Sequence, residues 1–103
     1  VAKVVWSRPS LTDVQALLAY ATQQQREYGD AFVSRLLDAA DSLGGQPFSG
    51  WKVSEYDRDD IRELFVRPYR LIYLADESTC VILAVVHASR NLADLDVPDR
   101  FGC

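Results

Sequence analysis

The chain has no methionine, one histidine, two cysteines and no long apolar run, and each shortage removes a class of reading. Two isolated sulfurs do not make a zinc site. With Cys80 inside a predicted strand and Cys103 ending a polar tail, a stabilising disulfide is not expected either. Cys80 reads as core packing and Cys103 as incidental. The longest apolar run, Cys80 to Val86, is strand-sized and falls well short of the roughly 18 to 20 residues that span a membrane. The opening VAKVVWSRPS lacks the basic segment and apolar core of a secretory signal, so the expected location is the cytoplasm. The missing Met at position 1 leads us to expect a processed or trimmed start. Cations are also in deficit: 11 Lys and Arg against 15 Asp and Glu give a net charge of −4. That balance argues against a nonspecific nucleic-acid binder, which needs surplus cations to displace counterions from phosphates. No Gly-rich loop precedes a helix as a phosphate cradle, no His, Cys and carboxylate set has metal spacing, and no serine sits in a nucleophile elbow. Neither a cofactor nor a metal is expected.

What is present is patterning. A chain of 103 residues, 49% of them hydrophobic, predicts one domain over residues 1–103 with a single core. Lys3 to Trp6 is a short β-rich run; Ser7, Pro9 and Ser10 supply helix-start chemistry, and Ser10 with Asp13 matches a capping pattern. Leu11, Val14, Leu17, Leu18 and Ala21 form one helical stripe, which Gly29 is expected to end. Asp30 is the expected cap of a second helix with the stripe Phe32, Leu36, Leu37, Ala40 and Leu43, stopped by Gly44-Gly45. The stretch QPFSGWKVSEYDRDD shows no period. It reads as a solvated loop that Phe48, Trp51, Val53 and Tyr56 can pin to the core. IRELFV and YRLIYLA then alternate as strands around a break at Arg67-Pro68, and Asp76-Glu77-Ser78 is a hairpin turn. Thr79 to Val86 is apolar on both faces, as in a covered central strand. The expected fold is α+β, in the order β-α-α-β-β-β: an N-terminal strand, then a helical hairpin packed on an antiparallel meander whose sheet the first strand joins.

The apolar hairpin has charged ends. With the turn centred near residue 77, Arg70 would sit beside position 84 and Arg67 beside His87, so Arg62, Arg67, Arg70, His87 and Arg90 are expected at one end of the sheet. Two interpretations compete. The bland one is a solvated edge, with Arg70 stacked on a tyrosine and paired with Glu63 or an acidic loop residue. The functional one is an anion site, because arginine's fork binds phosphate or carboxylate oxygens in pairs and histidine titrates near neutrality. Tyr69, Tyr73 and Trp51 read as core or rim aromatics before base-stacking ones.

The ordered set P-F-S-G after the helices, then I-R-E-L, Y-R-L-I-Y and V-V-H-A-S-R-N-L, resembles the RelE/ParE superfamily of type II toxin-antitoxin toxins over residues 3 to about 95. The resemblance implies a toxin neutralised by a small cognate antitoxin. It also implies one of two targets. RelE-like members cleave mRNA in the ribosomal A site, whereas ParE-like members poison DNA gyrase by binding it. Arg70 and Arg90 match the two arginines that RelE-like enzymes place at the scissile phosphate, with His87 a conceivable acid or base. Those three are the catalytic candidates if the chain is RelE-like. Arg62, Arg67, Tyr69 and Tyr73 are the candidates for target or antitoxin binding. Ile61 and Glu63 stand where the nucleases carry paired lysines, and no tyrosine occurs among Asn91 to Asp96. With the H-A-S-R ending and the acidic charge, these departures favour the ParE-like branch, a gyrase inhibitor without chemistry of its own. The ribosome and mRNA are the alternative partners.

Overall fold

The computed structural model describes residues 1–24, 26–90 and 92, with the side chains of 21, 22, 24 and 26–28 outside the description. The readings placed on Ala21, Cys103 and the tail DLDVPDRFGC lie outside the described residues. The elements are β1 (Lys3–Trp6), α1 (Arg8–Gln24), α2 (Arg26–Ser42), β2 (Trp51–Lys52), β3 (Ile61–Val66), β4 (Tyr69–Ala75) and β5 (Thr79–His87). One sheet runs in the order β1-β5-β4-β3-β2. β1 pairs with β5 in parallel, and the other neighbours are antiparallel. The α+β layout read from the sequence is therefore present. The short edge strand β2, inside the stretch that shows no period, was not foreseen.

Local chemistry sets the boundaries. Ser7, not Ser10, caps α1: the Ser10 amide donates to Ser7 Oγ at 3.2 Å and the Leu11 amide to the Ser7 carbonyl at 3.1 Å. Asp13, the expected capping partner of Ser10, instead accepts the amide of Val85 at 3.1 Å. The reason lies in the sheet. β1 covers β5 only from Thr79 to Ile82, and the edge groups beyond need other partners. The Ser7 amide on the Ile82 carbonyl, at 3.0 Å, and Asp13 on Val85 supply them. Gly29 and Asp30, expected between the two helices, lie inside α2.

The sheet has a core on each face. On one, Phe32, Leu36 and Ala40 of α2, with Leu43 just beyond its end, pack against Leu71, Tyr73, Ala75, Cys80, Ile82 and Val85. On the other, the connection between α2 and β3 covers Ile61, Ile72, Val81, Leu83 and Val86 with Val53 and Tyr56, joined by Leu92. Each such aliphatic side chain contributes about 1.5–3 kcal/mol by leaving water. β5 is accordingly buried along nearly its whole length, as its apolar run predicts. Leu11 and Leu37, assigned to the apolar stripes, are instead exposed, and of the loop aromatics Phe48 and Trp51 face outward.

The hairpin register differs from expectation by two residues. Asp76 Oδ1 accepts the amides of Ser78 and Thr79, each at 2.7 Å, which tightens the turn so that Ala75 pairs with Cys80. An irregularity opposite Ile72 and Tyr73 inserts one more residue in β5, and Arg70 then pairs with Val86 and Tyr69 with His87.

Candidate functional site

Alternation along β4 sends Tyr69, Leu71 and Tyr73 toward the helices and Arg70 to the opposite face, under the loop. There Glu63 of β3 and Glu55 of the loop enclose it. Arg70 Nε donates to Glu63 Oε1 at 2.5 Å and Nη2 to Glu63 Oε2 at 3.2 Å, while Nη1 and Nη2 donate to the two oxygens of Glu55 at 2.8 and 2.9 Å. Both edges of the guanidinium fork are thus filled by carboxylates. Arg70 is 6% exposed and Glu63 5%. The hydrogen bonds from Arg70 hold the Glu55 carboxyl down at about 2 against an ordinary 4.5. Glu55, chiefly, raises Arg70 above its ordinary value in return. This is the pairing with Glu63 and an acidic loop residue that the bland reading anticipated, but in a buried site and not at a solvated edge.

Arg62 lies toward the other end of β3. Its Nε donates to the Asp59 carbonyl at 2.8 Å, its Nη1 to the carbonyls of Phe48 and Gly50 at 3.3 and 3.2 Å, and its guanidinium sits 5.5 Å from the Phe48 ring centre. Tyr73, opposite Arg62 in the ladder, is wholly buried and accepts the Gly50 amide at 2.9 Å. Arg62 and Tyr73 together fasten the loop to the sheet, and a partner at the surface does not reach the Tyr73 ring. The expected five-member cluster is therefore divided. Arg62 is removed by its distance along β3, and Arg70 by pointing through the other face of the sheet.

What remains at the expected end is Arg67, Tyr69, His87 and Arg90. The Tyr69 and His87 rings meet edge to face at 5.5 Å between centroids, and Phe32 backs Tyr69 at 5.0 Å. The Arg35 side chain of α2 donates to the Arg67 carbonyl, at the turn whose Arg67–Pro68 peptide is cis. The Ser89 amide donates to His87 Nδ1 at 3.1 Å. A backbone N–H can only donate, so Nδ1 is the acceptor and the neutral ring carries its proton on Nε2. In that form the outward nitrogen is a hydrogen-bond donor and not a base. Two grooves share His87. One, of about 430 Å³, is lined by Phe65, Arg67, Pro68, Tyr69, His87 and Ala88. The other, of about 320 Å³, brings His87 and Arg90 beside Asp13, Ala16, Leu17 and the end of β5. No set of three or more His, Cys, Asp or Glu suited to a metal ion occurs among the described residues.

Residues 4–92 match the model of the ParE toxin of type II toxin-antitoxin systems, parDE. The chain belongs to the ParE toxin family. No curated protein sequence matches it. Among solved structures, a chain of the chromosomal ParDE TA system from P. aeruginosa superposes with a TM-score of 0.69 at 15% identity, over 84% of this chain and 95% of that one. At that identity the likeness speaks for the fold alone. For a ParE-family toxin the geometry has a direct consequence. Arg70, read as a match to the nuclease pattern, is bound by Glu63, read as a departure from it, so the two form one structural unit. Sequence reasoning had not singled out Glu55, and had given Asp13 only a capping role. Asp13 and Val85 are too far apart in the chain for any local pattern to join them. Glu55 sat in an acidic run in which Asp59 and Asp60 pair at the surface with Lys52 and Arg58.

Proposed function

We propose that this ParE-family chain is a toxin that inhibits DNA gyrase by binding it, arresting growth in the cytoplasm until a cognate antitoxin neutralises it. One observation carries this reading over cleavage of mRNA on the ribosome: buried Arg70 has both edges of its guanidinium engaged, by buried Glu63 and by Glu55 of the loop. Stabilising a phosphorane takes donors placed in advance and pointing at the reacting oxygens. A guanidinium already neutralised by two carboxylates does not provide them. The net charge of −4 supports the same choice. The antitoxin as partner follows from membership of a toxin-antitoxin family, and no helix among the described residues is long and apolar enough to cross a membrane. The test is induced expression with and without the product of the adjacent gene. Growth arrest accompanied by loss of plasmid supercoiling, both relieved by that product, is expected. Arrest with intact supercoiling and newly cut mRNA points to the nuclease instead.

A further inference from the structure

We propose that the exposed arginines at one end of the sheet, Arg35, Arg67 and Arg90, hold the phosphate backbone of the duplex DNA that gyrase carries, so that the chain's target is the gyrase–DNA complex and not gyrase alone. The proposal rests on the gyrase reading and deepens it.

The fold gathers the three from distant parts of the chain. Arg67 precedes Pro68 in the turn between β3 and β4, and the Arg35 side chain of α2 donates to its carbonyl. The Ala88 amide donates to the Pro68 carbonyl at 2.9 Å and the Arg90 amide to the His87 carbonyl at 2.9 Å, which ties the segment after β5 to the same turn. All three arginines are exposed. Ion pairs among the described residues engage Lys52, Arg58 and Arg70, and none of them engages Arg35, Arg67 or Arg90. Against the three stand Asp38, one helical turn from Arg35, and Asp13, whose carboxylate accepts the Val85 amide in the groove that Arg90 lines. Asp59 and Asp60 ahead of β3, and Asp76 and Glu77 in the turn between β4 and β5, lie at the opposite end of the strands. The chain is acidic as a whole, but this end is not.

The arrangement selects an extended polyanion. Arg67 lines one groove, Arg90 the other, and Arg35 approaches from the helix layer, so the three forks follow a rim and do not ring one pocket. His87 lies between the grooves and adds the donor on Nε2. A nucleic-acid strand presents its charges in such a row, about one phosphate every 3.4 Å of axis, and each arginine fork takes two phosphate oxygens. Free duplex is nonetheless a weak ligand for this chain, because three phosphate contacts are few and the net charge of −4 opposes them. Gyrase removes that obstacle. Once the chain is on the enzyme, the bound duplex meets the arginines at a high effective concentration, and contacts too weak to form complexes alone add to an affinity already present.

The test measures the dissociation constant of the full-length chain for immobilised gyrase from the same organism, with and without a bound duplex. Wild type should bind the DNA-loaded enzyme roughly tenfold more tightly than the bare enzyme, as for a few exposed charge contacts. That ratio should shrink as salt rises, with a log–log slope of about −2.7 for three phosphates. In the Arg67→Glu/Arg90→Glu variant, shown to be folded by circular dichroism, the ratio should vanish, each protein serving as its own reference. Equal affinity of wild type for the two states of gyrase, or an undiminished ratio in the variant, would overturn this proposal and leave the gyrase reading standing. No binding to gyrase in either state overturns both; if the chain then binds programmed ribosomes through the same arginines, the polyanion is RNA.

Discussion

Replacing Arg70 with methionine keeps much of the side chain's bulk and deletes the only cation that contacts Glu63 among the described residues. The Glu63 side chain is 6% exposed against 28% for Glu55, so Glu55 can swing toward water while Glu63 is left charged and enclosed. Removing one partner of such a pair costs about 3–5 kcal/mol, because the survivor keeps its desolvation penalty without its attraction. Against a total stability of about 5–15 kcal/mol, and at about 4–8 °C per kcal/mol for a domain near this size, the melting temperature should fall by on the order of 20 °C. Urea unfolding at neutral pH, read as the change in midpoint at constant slope, gives the free energy. The double variant Arg70→Met/Glu63→Leu should recover most of it, since an apolar pair satisfies the site without a charge. A loss below about 1 kcal/mol, or a double variant no better than the single, would refute the claim that the pair is buried and mutually dependent. The double variant also separates the functional readings. A gyrase inhibitor keeps its toxicity when Arg70 is gone and the fold is intact, whereas a nuclease relying on Arg70 loses it by orders of magnitude.

Three further outcomes follow from the structure. Because the Glu55 carboxyl is held down at about 2 in the folded chain, its contribution is complete above its ordinary value of 4.5 and is lost as the pH falls toward 2. Wild type and Glu55→Gln should therefore differ in stability at neutral pH and converge in acid, as measured by circular dichroism melts across that range. A Cβ built at Gly50 falls 2.5 Å from Tyr73 Oη and 2.6 Å from the Glu63 carbonyl oxygen, so Gly50→Ala should cost at least about 1–3 kcal/mol. Gly45, with nothing within 4 Å of a Cβ, should accept alanine within about 0.5 kcal/mol.

Much of the fold was legible because periodicity reports burial. The doubly apolar run of β5 marked an interior strand of the sheet, and the stripe Phe32, Leu36, Ala40, Leu43 marked the helical segment that covers it. The site was less legible for geometric reasons. A tighter turn and one inserted residue moved the hairpin register by two. Alternation then put Arg70 on the opposite face from Tyr69 and His87, so the spacing that grouped the cations in sequence could not group them in space. Asp13 shows the same limit. Its spacing from Ser10 fits a cap, but the open stretch of β5 beyond β1 claims its carboxylate. Glu63 was visible as a departure from a nuclease pattern, and only its contact with Arg70 turned that departure into a physical reason.

The most direct test of the account is a supercoiling assay with the purified chain and gyrase from the same organism, run beside primer extension on ribosomes programmed with defined A-site codons. The account predicts blocked supercoiling or trapped cleaved DNA, with no new 5′ ends on the message. Unimpaired gyrase at large molar excess of the chain, together with codon-specific cuts, would contradict it.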